Sequence, residues 1–275
     1  MGLQDSDGSD GRFSSYVESL ASVIGHADRV NPLRDYCTGL MMPGARKSVE
    51  PMAAATAPTR TAAQHQSLLH FVGQASWSDE KVLAKVCETV LPAIERDGPI
   101  EAWIIDDTGF PKKGKHSVGV ARQYCGQLGK QDNCQAAVSL SIANRQASLP
   151  VHYRLYLPQE WADDAARRGK AHVPEEIAFK TKPEVAFEQL RWACAAVCRA
   201  ASCCSMPAMA TTPSCARRSA LGLSYAAGIL SNTSVWAPGA KPLPPKRWSG
   251  RGRRPTRLRR SAPPAAANCA IKNGC

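Results

Sequence analysis

The hydrophobic period of the chain changes near residue 100, and that switch demands a helical region joined to a sheet. Upstream, Phe13, Tyr16, Val17, Leu20, Val23 and Ile24 recur at helical spacing. Leu33, Tyr36, Cys37, Leu40 and Met41 mark a second helix, with Pro32 in its first turn. Leu68, Leu69, Phe71 and Val72 mark a third within Gln64 to Val72. Ser78 reads as an N-cap, followed by Asp79 and Glu80 in the first turn. That fourth helix carries Val82, Leu83, Val86, Val90 and Leu91 and ends near Asp97-Gly98-Pro99. Downstream, Ile100 to Ile105 is a short apolar run that stops at Asp106-Asp107, as a buried strand would. Ser117 to Tyr124, Gln135 to Ala143 and Leu149 to Leu157 are three more strand candidates, separated by turns at Gly126, Gly129, Asp132, Asn133 and Asn144. Glu184 to Ala196 is helical again, and Ala220 to Leu230 looks strand-like.

The expected fold class is therefore α/β (α+β): a helical region, then a mixed sheet with helices. The expected domains are a disordered polar tail at 1–12, a helical region at 13–97, a sheet core at 98–230, and a Pro/Gly/Arg-rich loop and tail at 231–275. No apolar run approaches the roughly 20 residues of a membrane span, and the start of the chain lacks the apolar segment of a signal peptide. A membrane partner is not expected, and the eleven cysteines are not expected to form a disulfide framework.

The net charge of +12 is unevenly placed. After Glu188 there is no Asp or Glu, while residues 189–275 hold 14 Lys and Arg. The densest part, Lys241 to Arg260, has nine of them and one Trp. Such a segment can neutralise phosphates and stack on a base.

The segment with chemical content begins at Trp103. An apolar strand delivers Asp106 and Asp107, and a carboxylate at a strand end can hold a hard cation through oxygen. Successive strand side chains point to opposite faces, so only one of the two acids enters a given site. Gly109 to His116 nearly matches the phosphate-binding loop G-x-x-x-x-G-K-[ST]. His116 stands where the hydroxyl belongs and Pro111 removes an amide, so nucleotide binding is not expected there.

Residues 103–129, together with Arg46-Lys-Ser-Val-Glu-Pro-Met, resemble DDE-superfamily insertion-sequence transposases. The similarity continues through His152-Tyr-Arg-Leu-Tyr-Leu-Pro, Trp161 and Phe179-Lys-Thr-Lys-Pro, and returns at 220–258. It implies an RNase H-like core, incomplete in this chain, and cleavage and joining of DNA strands with two Mg²⁺ ions held by Asp, Asp and Glu. It places the first catalytic and metal-binding acid on Asp107, with Asp106 next. It implies double-stranded DNA as partner (transposon ends and target), a homodimer as one arrangement, and a cytoplasmic, nucleoid-associated place in a bacterium. Lys112, Lys113 and Lys115 beside the acids, and Lys246, Arg247, Trp248, Arg251, Arg253 and Arg254 in the basic arm, are the DNA-facing candidates. Arg46 and Lys47 are weaker ones.

The second and third acids have no counterpart in the chain. Residues 197–219 follow neither period and are rich in Ala, Ser, Cys and Arg. Reading the codons of Val197 to Thr212 one base earlier, with permissible third bases, gives Gly-Leu-Pro-Arg-Gly-Val-Val-Leu-Leu-Asp-Ala-Gly-Tyr-Gly-Asn-Asp. That is an apolar strand ending in Asp, with the Asp codon straddling Ser205 and Met206, and it matches the block in which the family carries its second acid. The expectation is a frameshifted, truncated transposase that no longer catalyses. The alternative is a non-enzymatic DNA-binding protein using the basic arm and the helical region.

Overall fold

The computed structural model describes residues 6–196 apart from Ala45, and the four short strands 202–205, 224–227, 234–236 and 270–272. It divides into two compact units at Arg96/Asp97. Among the described residues no helix is long and apolar enough to cross a membrane.

The first unit is helical: α1 (Ser6–Ala21), α2 (Val30–Met41), α3 (Val49–Thr56), α4 (Thr61–Gly73) and α5 (Asp79–Arg96). Val17, Leu20, Ile24, Leu33 and Phe71 make its main core, with Tyr36, Trp77, Val82 and Val86 packed against it. These are largely the positions picked out by helical spacing. Ser78 caps α5 as expected, its Oγ accepting from Lys81 N at 3.2 Å. Two differences stand out. The polar stretch 1–12, expected to be disordered, is helical from Ser6. A helix anchored by a packed segment extends outward at one hydrogen bond per residue, and periodicity sees only the packed part. The eight-residue α3 was invisible to periodicity because it is too short to repeat a face. It is held by close approach: a Cβ placed on Gly39 of α2 would lie 2.8 Å from Met52 Cβ.

The second unit is a mixed sheet. Its strands are β1 (Ala102–Pro111), β2 (Ala121–Cys125), β3 (Lys130–Ala143), β4 (Ser148–Leu155), β5 (Ser202–Ser205) and β6 (Ser224–Ala227). Between β4 and β5 come α6 (Gln159–Ala162), α7 (Ala165–Lys170) and α8 (Lys182–Ala196). β7 (Ser234–Trp236) and β8 (Ala270–Lys272) form a separate antiparallel pair. The long strand β3 pairs antiparallel with β1 on one edge and with both β2 and β4 on the other. β5 pairs parallel with β1, and β6 parallel with β5. The spatial order β4-β3-β1-β5-β6, with helices between β4 and β5, is the α/β arrangement expected from the sequence.

Several sequence boundaries move: β2 starts at Ala121, α8 starts at Lys182, and Asp132 and Asn133, expected in a turn, lie within β3, which pairs there with β2. The first strand does not stop at the two acids but runs on to Pro111, because β3 is long enough to pair with all of it. β5 lies in the segment 197–219, where no strand was legible.

The two faces of this sheet are unlike. Partners across the ladder share a face, so Trp103, Ile105 and Asp107 line up with Ile142, Leu140 and Val138. Apart from Asp107, all of these are buried. α8 covers this face: Leu190 and Ala193 are buried, and Gln189 Nε2 donates to Val138 O at 2.9 Å. The other face carries Ile104, Asp106, Thr108 and Phe110 of β1, and Tyr153 and Leu155 of β4. There Ile104, Phe110, Tyr153 and Leu155 are exposed.

Candidate active site

Asp106 and Asp107 stand where β1 loses its parallel neighbour. β5 pairs with β1 only from Ala102 to Ile105, where Ile105 meets Ser205. Beyond that point β1 continues beside β3 alone, with Asp106 opposite Ser139 and Asp107 opposite Val138. The carboxyl end of a parallel strand pair is where open α/β sheets bind ligands.

The alternation expected from a strand separates the two acids. Asp107 faces the covered side and meets the start of α8, where Lys182 Nζ lies 2.5 Å from its Oδ2. Both side chains are mostly buried, Lys182 at 18% and Asp107 at 23% exposure. The ammonium also lies 5.3 Å from the centre of the Tyr156 ring. Burial raises the Tyr156 hydroxyl above its ordinary pKa, so Tyr156 stays neutral and adds a ring, not a charge. Asp106 points to the opposite face, and its Oδ1 accepts from Asp107 N at 2.7 Å.

The lysine-bearing loop between β1 and β2 is shaped by its neighbours. Asn133 Nδ2 donates to Lys112 O at 2.6 Å and to Gly114 O at 2.9 Å. Gln135 Nε2 donates to Val118 O at 2.6 Å. Arg167 on α7 lies over Trp161, its Cζ 3.7 Å from the ring centre, and donates to Lys115 O at 2.9 Å. Trp161 Nε1 in turn donates to Val120 O at 2.8 Å. At Gly119 the backbone is left-handed (φ 75°), and a Cβ would come 2.7 Å from Tyr156 O. The backbone carbonyls are thus held while the side chains of Lys112, Lys113 and Lys115 stand exposed. The loop leads into strand β2 rather than into the helix that follows a phosphate-binding loop.

Among the sequence candidates, the structure brings Asp107 to a partner and leaves Asp106 on the other face. Lys246, Arg247, Trp248, Arg251, Arg253 and Arg254 lie outside the described residues. Lys47 has a local role, donating to Gly39 O at 3.3 Å and to Met42 O at the end of α2. Sequence reasoning missed Lys182. Its signal was present: Thr181-Lys-Pro-Glu184 is a capping-box pattern, which fixes a helix start and so fixes the residue after the cap. Arg167 had no such signal, since its partners Trp161 and Lys115 lie far apart in sequence.

Two-metal chemistry needs carboxylates that converge. Here the adjacent acids diverge, and an ammonium holds Asp107. Among the described residues no three His, Cys, Asp or Glu side chains gather in a metal-holding arrangement. The sequence supplies no acid after Glu188. The residues present do not fit a two-metal centre.

The pattern of the DDE superfamily endonuclease family matches residues 19–272, nearly the whole chain. The chain belongs to this family. The chain is also 33% identical over 121 residues to a probable transposase for insertion sequence element IS701 from Microchaete diplosiphon. That alignment takes 44% of this chain and 28% of the relative's length.

Proposed function

We propose that this chain is the remnant of an insertion-sequence transposase that still binds DNA but no longer cuts it. The observation that carries this reading is the state of Asp107: a DDE-family acid held by Lys182, with no acid supplied by the rest of the chain beyond Glu188. Asp107 is the first catalytic acid in this reading, and Asp106, on the open face, is not a partner to it. The substrate class is double-stranded DNA, with Lys112, Lys113 and Lys115 as phosphate contacts. Lys246, Arg247, Trp248, Arg251, Arg253 and Arg254 act with them as a salt-sensitive arm. The family resemblance adds a bacterial, nucleoid-associated location and, as one arrangement, a homodimer on the DNA ends. Mg²⁺, the family's expected ion, is not bound productively.

The frame change accounts for the missing second acid. In the shifted frame, Val-Val-Leu-Leu falls on Ser202 to Ser205, the residues of β5, and the Asp codon falls on the next position. An apolar parallel strand ending in a carboxylate beside β1 is what the site lacks.

Two measurements test the reading. Translation of the coding DNA across residues 190–225 in all three frames is expected to spell the strand and Asp-Ala-Gly-Tyr-Gly one base earlier. A coding sequence without it removes the frameshift. The purified chain is expected to bind DNA with affinity that falls steeply with salt and to leave strands uncut with Mg²⁺. Mg²⁺-dependent cleavage of element-end DNA overturns the catalytic defect, and salt-insensitive or absent binding overturns the DNA-binding claim.

A further inference from the structure

Lys182 stands where a helix tolerates a cation least. It is the first residue of α8, at the positive pole of the helix dipole. The capping box holds it there: Glu184 Oε2 accepts from Thr181 N at 2.9 Å and from Thr181 Oγ1 at 2.8 Å. Pro183 follows in the first turn and restricts the backbone further. What favours the ammonium at this place is Asp107, with which no other cation pairs among the described residues. The pair sits in a mostly buried setting beside the Tyr156 ring, so salt and water screen it less than a surface bridge.

We propose that Lys182 is a built-in counter-ion, which neutralises Asp107 in place of a divalent cation and competes with one for that carboxylate. The proposal rests on reading Asp107 as the metal-facing acid of the DDE pair. The mechanism is electrostatic. A cation approaching Asp107 Oδ2 either displaces the ammonium or shares the oxygen with a like charge a few ångströms away. Lys182 is a positioning residue: it fixes the carboxylate and sets how strongly a metal must bind to take it.

The test uses the full chain and Mn²⁺ alone, with free Mn²⁺ followed by electron paramagnetic resonance. The variants are Lys182→Gln, Lys182→Met, Lys182→Arg, Asp107→Asn and the double variant Lys182→Gln/Asp107→Asn. Met keeps the stem against Tyr156 and removes only the charge, so it serves if Gln unfolds the chain. A cooperative melt establishes the fold of each. Removing the charge is expected to tighten Mn²⁺ binding by about tenfold, Arg is expected to behave as wild type, and Asp107→Asn in the same background is expected to erase the gain. Added Mn²⁺ is also expected to raise the melting temperature of Lys182→Met but not of wild type. If wild type binds Mn²⁺ through Asp107 and Lys182→Met binds no tighter, the counter-ion proposal falls while Asp107 remains the metal-facing acid. If no variant binds Mn²⁺, both fall. Equal gains with and without Asp107 place the effect elsewhere and also overturn the proposal.

Discussion

The two faces of the sheet start from the same strands and end in different physics. On one, Trp103, Ile105, Val138, Leu140 and Ile142 are 0–1% exposed under α8. On the other, Ile104 is 38% exposed, Phe110 45% and Tyr153 44%. Asp106 and Asp107, adjacent in sequence, fall on opposite sides of this divide. The difference teaches that an acid's neighbours along the chain say little about its chemistry. What covers its face decides whether it meets an ammonium or open surface.

The strongest way to break this contrast is truncation on each face. Leu140→Ala is expected to cost about 3–4 kcal/mol of unfolding free energy, because it opens a cavity in a packed layer. Tyr153→Ala on the exposed face is expected to cost less than about 1 kcal/mol. Urea denaturation of the two variants measures both, and equal losses would mean the faces are energetically alike. Next in size is Gly119→Ala, which forces a Cβ onto Tyr156 O in a left-handed backbone. About 2 kcal/mol is expected, and a neutral result would show that the loop rearranges freely.

The acids sharpen the contrast at smaller scale. Asp107→Asn leaves Lys182 mostly buried without its partner and is expected to cost about 1–2 kcal/mol, after allowance for partial exposure. Asp106→Asn keeps an oxygen for the Asp107 amide and is expected to change stability by less than about 0.5 kcal/mol. Thermal melts of the pair check the ranking, and an inverted order would place the structural acid on the wrong face.

The smallest effect is a pH dependence on the covered side. Burial, with Cys125 beside it, raises the Cys134 thiol above its ordinary value of 9.0. The folded chain then holds this proton to higher pH than the unfolded chain does. Its contribution is fully present below about pH 9 and is lost as the pH rises through the folded value. Unfolding free energy is expected to fall as the pH rises past about 9, with part of the slope missing in Cys134→Ala.

How much was legible follows from what periodicity can detect. α5 was readable because Ser78 caps it and its apolar residues repeat a face, and β3 because its apolar run is long. α3 and β5 were not: one has too few residues to show a period, and the other lies in a Cys/Ser segment whose apolar pattern is missing. The acid pair was found from its strand context, and its split between faces from alternation. The Asp107 partner was not, because an ion pair across many residues leaves no local mark. Only the capping box at Thr181 pointed to the place where Lys182 would be fixed.

The length of β3 also sets an order of assembly. All of β1, from Ala102 to Pro111, pairs with β3, whereas β5 reaches only Ala102 to Ile105. Closing the longer loop to β5 costs little extra entropy, about 0.6 kcal/mol per doubling of length. The ladder gained on closing is therefore what favours β3 first, and it is also complete earlier as the chain leaves the ribosome. Until β5 arrives, the amides and carbonyls of Ala102 to Ile105 form an unpaired edge, open to any extended strand nearby. A nascent chain of this kind spends its most aggregation-prone interval waiting for its weakest strand.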